Sequence, residues 1–155
     1  MKLDEVIKSD KVDFSEIPSE YFLLGILSAF ENRFQTIADN LMKEISWKQF
    51  FAIICITLCK EAPTINDLSE ILGSSHQNVK QILLKLEKKG FIKLQEDKHD
   101  KRKQRIAVTK ECVKFCDKNN ETSSQIMQKM FDGISEKDIK TTIKTLIKMD
   151  NNLKE

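Results

Sequence analysis

The chain is poor in the residues that interrupt helices. Its 155 residues include only four glycines and two prolines, too little turn chemistry for an all-β fold and a bias toward helices. Long apolar runs are also missing. The longest, residues 50–59, is broken by Thr57 and falls well short of the ~20 residues that a membrane-spanning helix needs. It reads instead as a helix buried on most of its surface. Residues 1–17 are mixed in charge and hold no apolar stretch, which excludes a secretory signal and leaves a loose arm. Nothing in the sequence directs the chain out of the cytoplasm. Glycine-rich phosphate loops, H-E-x-x-H and G-x-S-x-G are all absent, so an enzyme is not expected.

C-x-x-C is absent as well. The four cysteines fall as Cys55/Cys59 and Cys112/Cys116, each pair four apart on one helical face, a spacing that does not favour a strain-free disulfide. Neither His76 nor His99 lies at ligand spacing from them. Buried free thiols are expected, with no metal and no cofactor.

What the chain does have is a core and an uneven charge. Apolar residues make up 40% and charged residues 32%, too apolar for disorder and too charged for a membrane protein. The length suits one domain of the usual ~100–200 residues. Net charge is only +2, but residues 1–40 hold four basic and eight acidic side chains, whereas residues 76–105 hold ten basic and four acidic. Two of the three arginines, Arg102 and Arg105, fall in one short stretch. Positive charge gathered on one segment is the footprint of a face that binds a polyanion, although a Lys-rich solvated surface has the same composition.

Helical periodicity places Phe22, Leu23, Ile26, Leu27, Phe30, Phe34, Ile37 and Leu41 on one stripe of a long helix from Ser19. Ser46-x-x-Gln49 is a capping box opening a helix to about Cys59. Thr64 starts a short helix carrying Ile65, Leu68, Ile71 and Leu72, which Gly73 ends. Ser74 with Gln77 fits a second capping box, for a helix with Val79, Ile82, Leu83 and Leu86 on one face, closed by Gly90. Residues 91–95 and 104–109 alternate as strands of a hairpin, with a Lys- and Asp-rich turn between. From Lys110 the pattern is again helical through a polar middle, Asp132-Gly133 breaks it, and Ser135-x-x-Asp138 caps a last helix with Ile139, Ile143, Leu146 and Ile147.

Two short helices joined by a tight turn and followed by a basic hairpin, over residues 64–109, make a winged helix-turn-helix. The second helix must dock one face on the core and present the other to the major groove. Its exposed face offers Ser75, His76, Gln77, Asn78, Lys80 and Gln81. Gln and Asn bond adenine bidentately, and His or Lys reaches guanine acceptors. The wing residues Lys98, Asp100, Lys101, Arg102, Lys103 and Arg105 suit the phosphate backbone or a narrow minor groove. Each feature alone is most often a solvated face; it is their order and combination that point to double-stranded DNA.

These residues resemble the MarR family, the multiple-antibiotic-resistance regulators. Ile45-Ser46-Trp47-Lys48-Gln49-Phe50 is similar to the family's L-T-x-x-Q-F, and Leu68-Ser69-Glu70-Ile71-Leu72-Gly73 to its first helix and turn. Leu86-Glu87-Lys88-Lys89-Gly90-Phe91-Ile92 resembles L-E-K-K-G-L-V, and Val108-Thr109-Lys110-Glu111 resembles L-T-E-K. Asp97-x-x-Asp100-x-Arg102 resembles the wing signature D-x-x-D-x-R, the most specific element. Leu94 stands where the family usually has Arg, which leaves Asp100 without its customary ion-pair partner. His76 stands where the recognition helix more often carries Arg.

The resemblance implies a mainly α fold with a small β-hairpin. A winged helix-turn-helix over residues 45–109 would be flanked by dimerisation helices over residues 19–44 and 110–155. It implies a homodimeric, ligand-responsive repressor on a palindromic operator, with half-sites about one helical turn apart. It also implies a cleft for a small aromatic effector, for which Phe14, Tyr21, Phe22 and Trp47 are the candidates, although aromatics at such positions are more often core. Two other readings stand beside this one: a winged helix that binds protein instead of DNA, and a thiol-based redox sensor.

Overall fold

The structure, a computed structural model, describes residues 13–14, 16–97, 100 and 102–154. The N-terminal arm thus lies largely outside the described residues. The chain divides into two compact units, residues 1–114 and 115–155.

The first unit begins with α1, Ser19–Met42, the long helix its apolar stripe predicts. Lys43, at φ 29, ends it. α2, Trp47–Leu58, opens on the Ser46/Gln49 capping box, both halves of which are formed. Asp39 on α1 accepts a hydrogen bond from the Trp47 backbone N–H, placing a carboxylate at the positive end of α2. Ala52, Ile53, Cys55 and Ile56 are buried on α2, but Phe51 is 41% and Leu58 78% exposed. The apolar run 50–59 is therefore buried on one side only, not on most of its surface.

α3, Ile65–Ile71, is capped by Thr64, whose hydroxyl accepts the Asp67 N–H while the Asp67 carboxylate accepts the Thr64 N–H. Only Leu68 of its three apolar residues is fully buried; Ile71 is half exposed. α4, His76–Lys88, is capped by Ser75, which accepts from the Asn78 N–H. The expected Ser74/Gln77 box does not form, for a local reason. Gly73 turns left-handed at φ 57, and Ser74 donates its N–H back to the Ser69 carbonyl at 3.0 Å. That closes α3 in a Schellman motif and passes the capping role to the next serine. Gly90 repeats the device at φ 72, with the Phe91 N–H on the Leu86 carbonyl at 3.0 Å.

β1, Ile92–Glu96, and β2, Gln104–Val108, pair antiparallel with Ile92 opposite Val108 and Leu94 opposite Ile106. Thr64 adds an isolated bridge to Arg105, and the Ile106 N–H reaches the Pro63 carbonyl at 2.9 Å. The hairpin is thereby stitched to the strap ahead of α3. Ile53, Leu68, Val79, Leu86, Ile106 and Cys112 are fully buried. Each such Ile or Leu contributes roughly 1.5–3 kcal/mol relative to exposure.

α5, Lys110–Met130, runs unbroken through its polar middle. In the second unit it is followed by Gly133 at φ 73 and by α6, Glu136–Asn152, capped by Ser135 on the Asp138 N–H as its sequence predicts. No residue of α6 is buried, and Ile143 and Ile147 are about half exposed.

Candidate nucleic-acid interface

α4 earns its orientation from three side chains. Val79, Leu83 and Leu86, spaced by four and three, are buried against the core. His76, Gln77, Asn78, Lys80 and Gln81 consequently stand exposed. Ser75 fixes the start of the helix, so its unpaired N–H groups and positive dipole end open beside these side chains.

The wing is built by two aspartates. Asp97 is buried; its carboxylate accepts the Asp100 N–H at 2.8 Å, and its own N–H meets the Lys103 carbonyl at 3.0 Å. Asp100 does have an ion-pair partner, contrary to the expectation from the missing arginine at Leu94. Arg102 folds back across the turn and its Nε lies 3.1 Å from Asp100 Oδ1. Hydrogen bonds from the Arg102 side chain and backbone hold the Asp100 carboxyl below its ordinary range. Arg102 itself remains 91% exposed. Arg105 is placed differently, turned inward with its Nε on Asp97. Lys98 and Lys101 lie outside the described residues.

Between α3, α4 and the wing lies an open groove of about 550 Å³, lined on its basic side by His76, Lys80, Arg102, Lys103 and Arg105. The fold therefore brings recognition-helix and wing residues, some 25 positions apart in sequence, to one surface. Thr64 and Asn66, which sequence reasoning did not single out, also line it. The signal was present: a capped helix start next to the strand it bridges.

Asn78 and Gln81 face a second cleft, of about 580 Å³, whose other walls are Glu31 of α1, Trp47, Lys48 and Phe51 of α2, and Ile82. Of the four aromatic residues expected to form an effector cleft, only Trp47 lines this one. Trp47 packs edge-on to Phe34 at 4.6 Å and stacks near Phe51 at 5.9 Å. Phe14 instead meets Phe22 at 5.3 Å, and Tyr21 is 72% exposed. The four are not brought together, because Phe22 sits twelve residues before Phe34 on α1, some ~18 Å along a helix. Glu31, Lys48 and Phe51 were missed because periodicity along one helix says nothing about which helix it will face.

None of the four cysteines is joined in a disulfide, and Cys55 and Cys112 are buried. Burial, and then the neighbouring Cys59, push the Cys55 thiol up from its ordinary value. Among the described residues no group of three His, Cys, Asp or Glu side chains is placed to hold a metal ion. Among the described residues no helix is long and apolar enough to cross a membrane.

The MarR family model matches residues 57–103, the stretch from the end of α2 through the helix-turn-helix and into the wing. Solved structures agree in fold. A MarR/EmrR family regulator from Acinetobacter sp. ADP1 superposes with a TM-score of 0.77 at 16% identity, covering 89% of this chain and 99% of its own. MepR of S. aureus, solved as a DNA complex, gives 0.73 at 20% identity, covering 83% and 94%. An organohalide-sensing regulator bound to 2,4-dichlorophenol gives 0.76 at 18% identity, covering 94% and 89%. No curated protein sequence matches the chain. The family resemblance and the fold read from the sequence are thus borne out.

Proposed function

We propose that this chain, which matches the MarR family model over residues 57–103 and shares the fold of solved MarR-type regulators, acts as a homodimeric, ligand-responsive repressor on a palindromic operator in double-stranded DNA. The observation that carries this reading is one groove that joins His76 and Lys80 of the exposed α4 face to the basic wing. α4 enters the major groove, where Gln77, Asn78 and Gln81 read base edges and His76 and Lys80 lie toward phosphate. Arg102 and Lys103 follow the backbone. Dimerisation is supported by the stripe on α1, where Ile26, Phe30, Ile37 and Leu41 are 39–54% exposed. An apolar row of that extent is typical of an interface. The DNA-bound MepR structure is a relative consistent with the partner.

The cleft at Trp47 supports a small aromatic effector, the class bound by one structural relative. A planar ligand against Trp47 and Phe51 would also touch Asn78 and Gln81, so its binding is transmitted to the reading helix without passing through an intervening layer.

The experiment is selection of duplexes from a random pool by the full chain, followed by titration at several salt concentrations. Asn78→Ala should narrow the gap between selected and scrambled duplexes, each bidentate contact being worth ~1–3 kcal/mol of discrimination. Arg102→Ala should flatten the log-affinity versus log-salt slope by about 0.9. A pool that yields no enriched sequence, with affinity indifferent to salt, would overturn the reading and favour a protein partner. Trp47 is the sole tryptophan, so its fluorescence reports ligand entry directly.

A further inference from the structure

Arg105 was expected among the DNA contacts, yet its guanidinium is already committed. Nε lies 2.5 Å from Asp97 Oδ2, and Nη1 donates to the Ala62 carbonyl at 2.9 Å. The same Nη1 lies 3.9 Å from Asp67 Oδ2, an oxygen that accepts the Thr64 N–H at 2.8 Å in the cap of α3. Asp97 is only 7% exposed, and its other oxygen holds the Asp100 N–H at the wing turn. One planar fork therefore joins three parts: the wing turn through Asp97, the strap before α3 through Ala62, and the α3 cap through Asp67. From these contacts we infer that Arg105 is a positioning residue that fixes the wing against the helix-turn-helix and makes no phosphate contact.

Charge and geometry agree on this. Arg105 faces two carboxylates, so the trio carries no surplus positive charge with which to release counterions from DNA. Turning Arg105 outward to a phosphate would take the guanidinium away from a buried carboxylate, a costly change. The fork also matters as a shape. A lysine keeps the charge but has no rigid pair of donors to hold Asp97 and the Ala62 carbonyl at once. The inference rests on the DNA-binding reading only for its affinity consequence; the clamp itself is a property of the free protein.

The test uses the full chain as Arg105→Lys, Arg105→Ala and Asp97→Asn beside Arg102→Ala. Amide hydrogen exchange in the absence of DNA is the first measurement. Both Arg105 variants and Asp97→Asn should exchange the Asp100 and Lys103 amides roughly tenfold faster, with the α4 amides unchanged; Arg102→Ala should have a smaller effect. On the duplex that the native chain selects from a random pool, Arg105→Lys and Arg105→Ala should both weaken binding by roughly tenfold with the salt slope intact. Native-like wing exchange in Arg105→Ala would overturn the clamp, whether or not any duplex is bound. Full affinity in Arg105→Lys, with a flattened slope in Arg105→Ala, would return Arg105 to the phosphate contacts.

Discussion

The winged core and the terminal helices are both amphipathic, but they finish differently. In the core, Ile53, Leu68, Val79, Leu86 and Ile106 are at most 1% exposed. On α1 the apolar residues Phe30 and Ile37 remain 48% and 54% exposed, and on α6 Ile143 and Ile147 remain 49% and 55% exposed. Equal apolar periodicity thus has two outcomes. The core faces meet partners from their own chain. The α1 and α6 stripes are left for another surface, and a second copy is the occupant we propose.

The sharpest way to break this contrast is to delete a side chain on each side of it. Leu68→Ala should cost about 2–5 kcal/mol in urea unfolding, the range for a fully buried leucine. A cost below about 1 kcal/mol would mean that the core is not the closed cluster described. Polar replacement on the stripe, Phe30→Ser with Ile37→Ser, should instead act through assembly. It should convert a dimer to a monomer by sedimentation and remove the concentration dependence of Tm. Deleting residues 139–155 should do the same and abolish DNA binding with it. A truncated chain that still binds its selected duplex as tightly as the full chain would defeat the dimer proposal.

A smaller effect tests how α3 is fixed at the edge of the core. Thr64→Ala should cost about 1 kcal/mol as a lost N-cap. Its partner Asp67 adds a pH signature. Hydrogen bonds from the Thr64 backbone and side chain hold the Asp67 carboxyl below its ordinary value. A group depressed in the folded state contributes stability above its unfolded pKa and loses it as pH falls through the folded one. Asp67→Ala should therefore be less stable than the native chain at pH 7. The gap should close as pH falls below about 4, the unfolded carboxylate value. A gap independent of pH would remove the charge from the cap.

The smallest expected effect is on the thiols. Cys55 is buried with its thiol pushed up, and thiolate is the reactive form, so mild peroxide should leave affinity for the selected duplex unchanged. A reversible loss, cured by Cys112→Ser or Cys116→Ser, would instead establish a redox-sensing regulator.

Sequence by itself determined the parts that depend on neighbours within a few positions. The helix starts at Ser46, Thr64 and Ser135 follow from a side-chain oxygen reaching an N–H three residues on. The turns at Gly73, Gly90 and Gly133 follow from a left-handed backbone that glycine adopts without strain. The hairpin follows from period-two alternation, and the buried face of α4 from period 3.6. Even the shift of the cap from Ser74 to Ser75 is local, though it needed the competing Schellman bond to be weighed. Tertiary structure decided which faces meet. It turned Arg105 inward while leaving Arg102 outward, two cations that look alike in one basic stretch. It separated Phe22 from Trp47 and placed Glu31, Lys48 and Phe51 beside Asn78. The physical reason is one of range: caps, turns and periodicity are settled over one or two turns of chain, whereas an ion pair such as Arg105–Asp97, or its tie to Ala62, exists only after the hairpin has closed and docked.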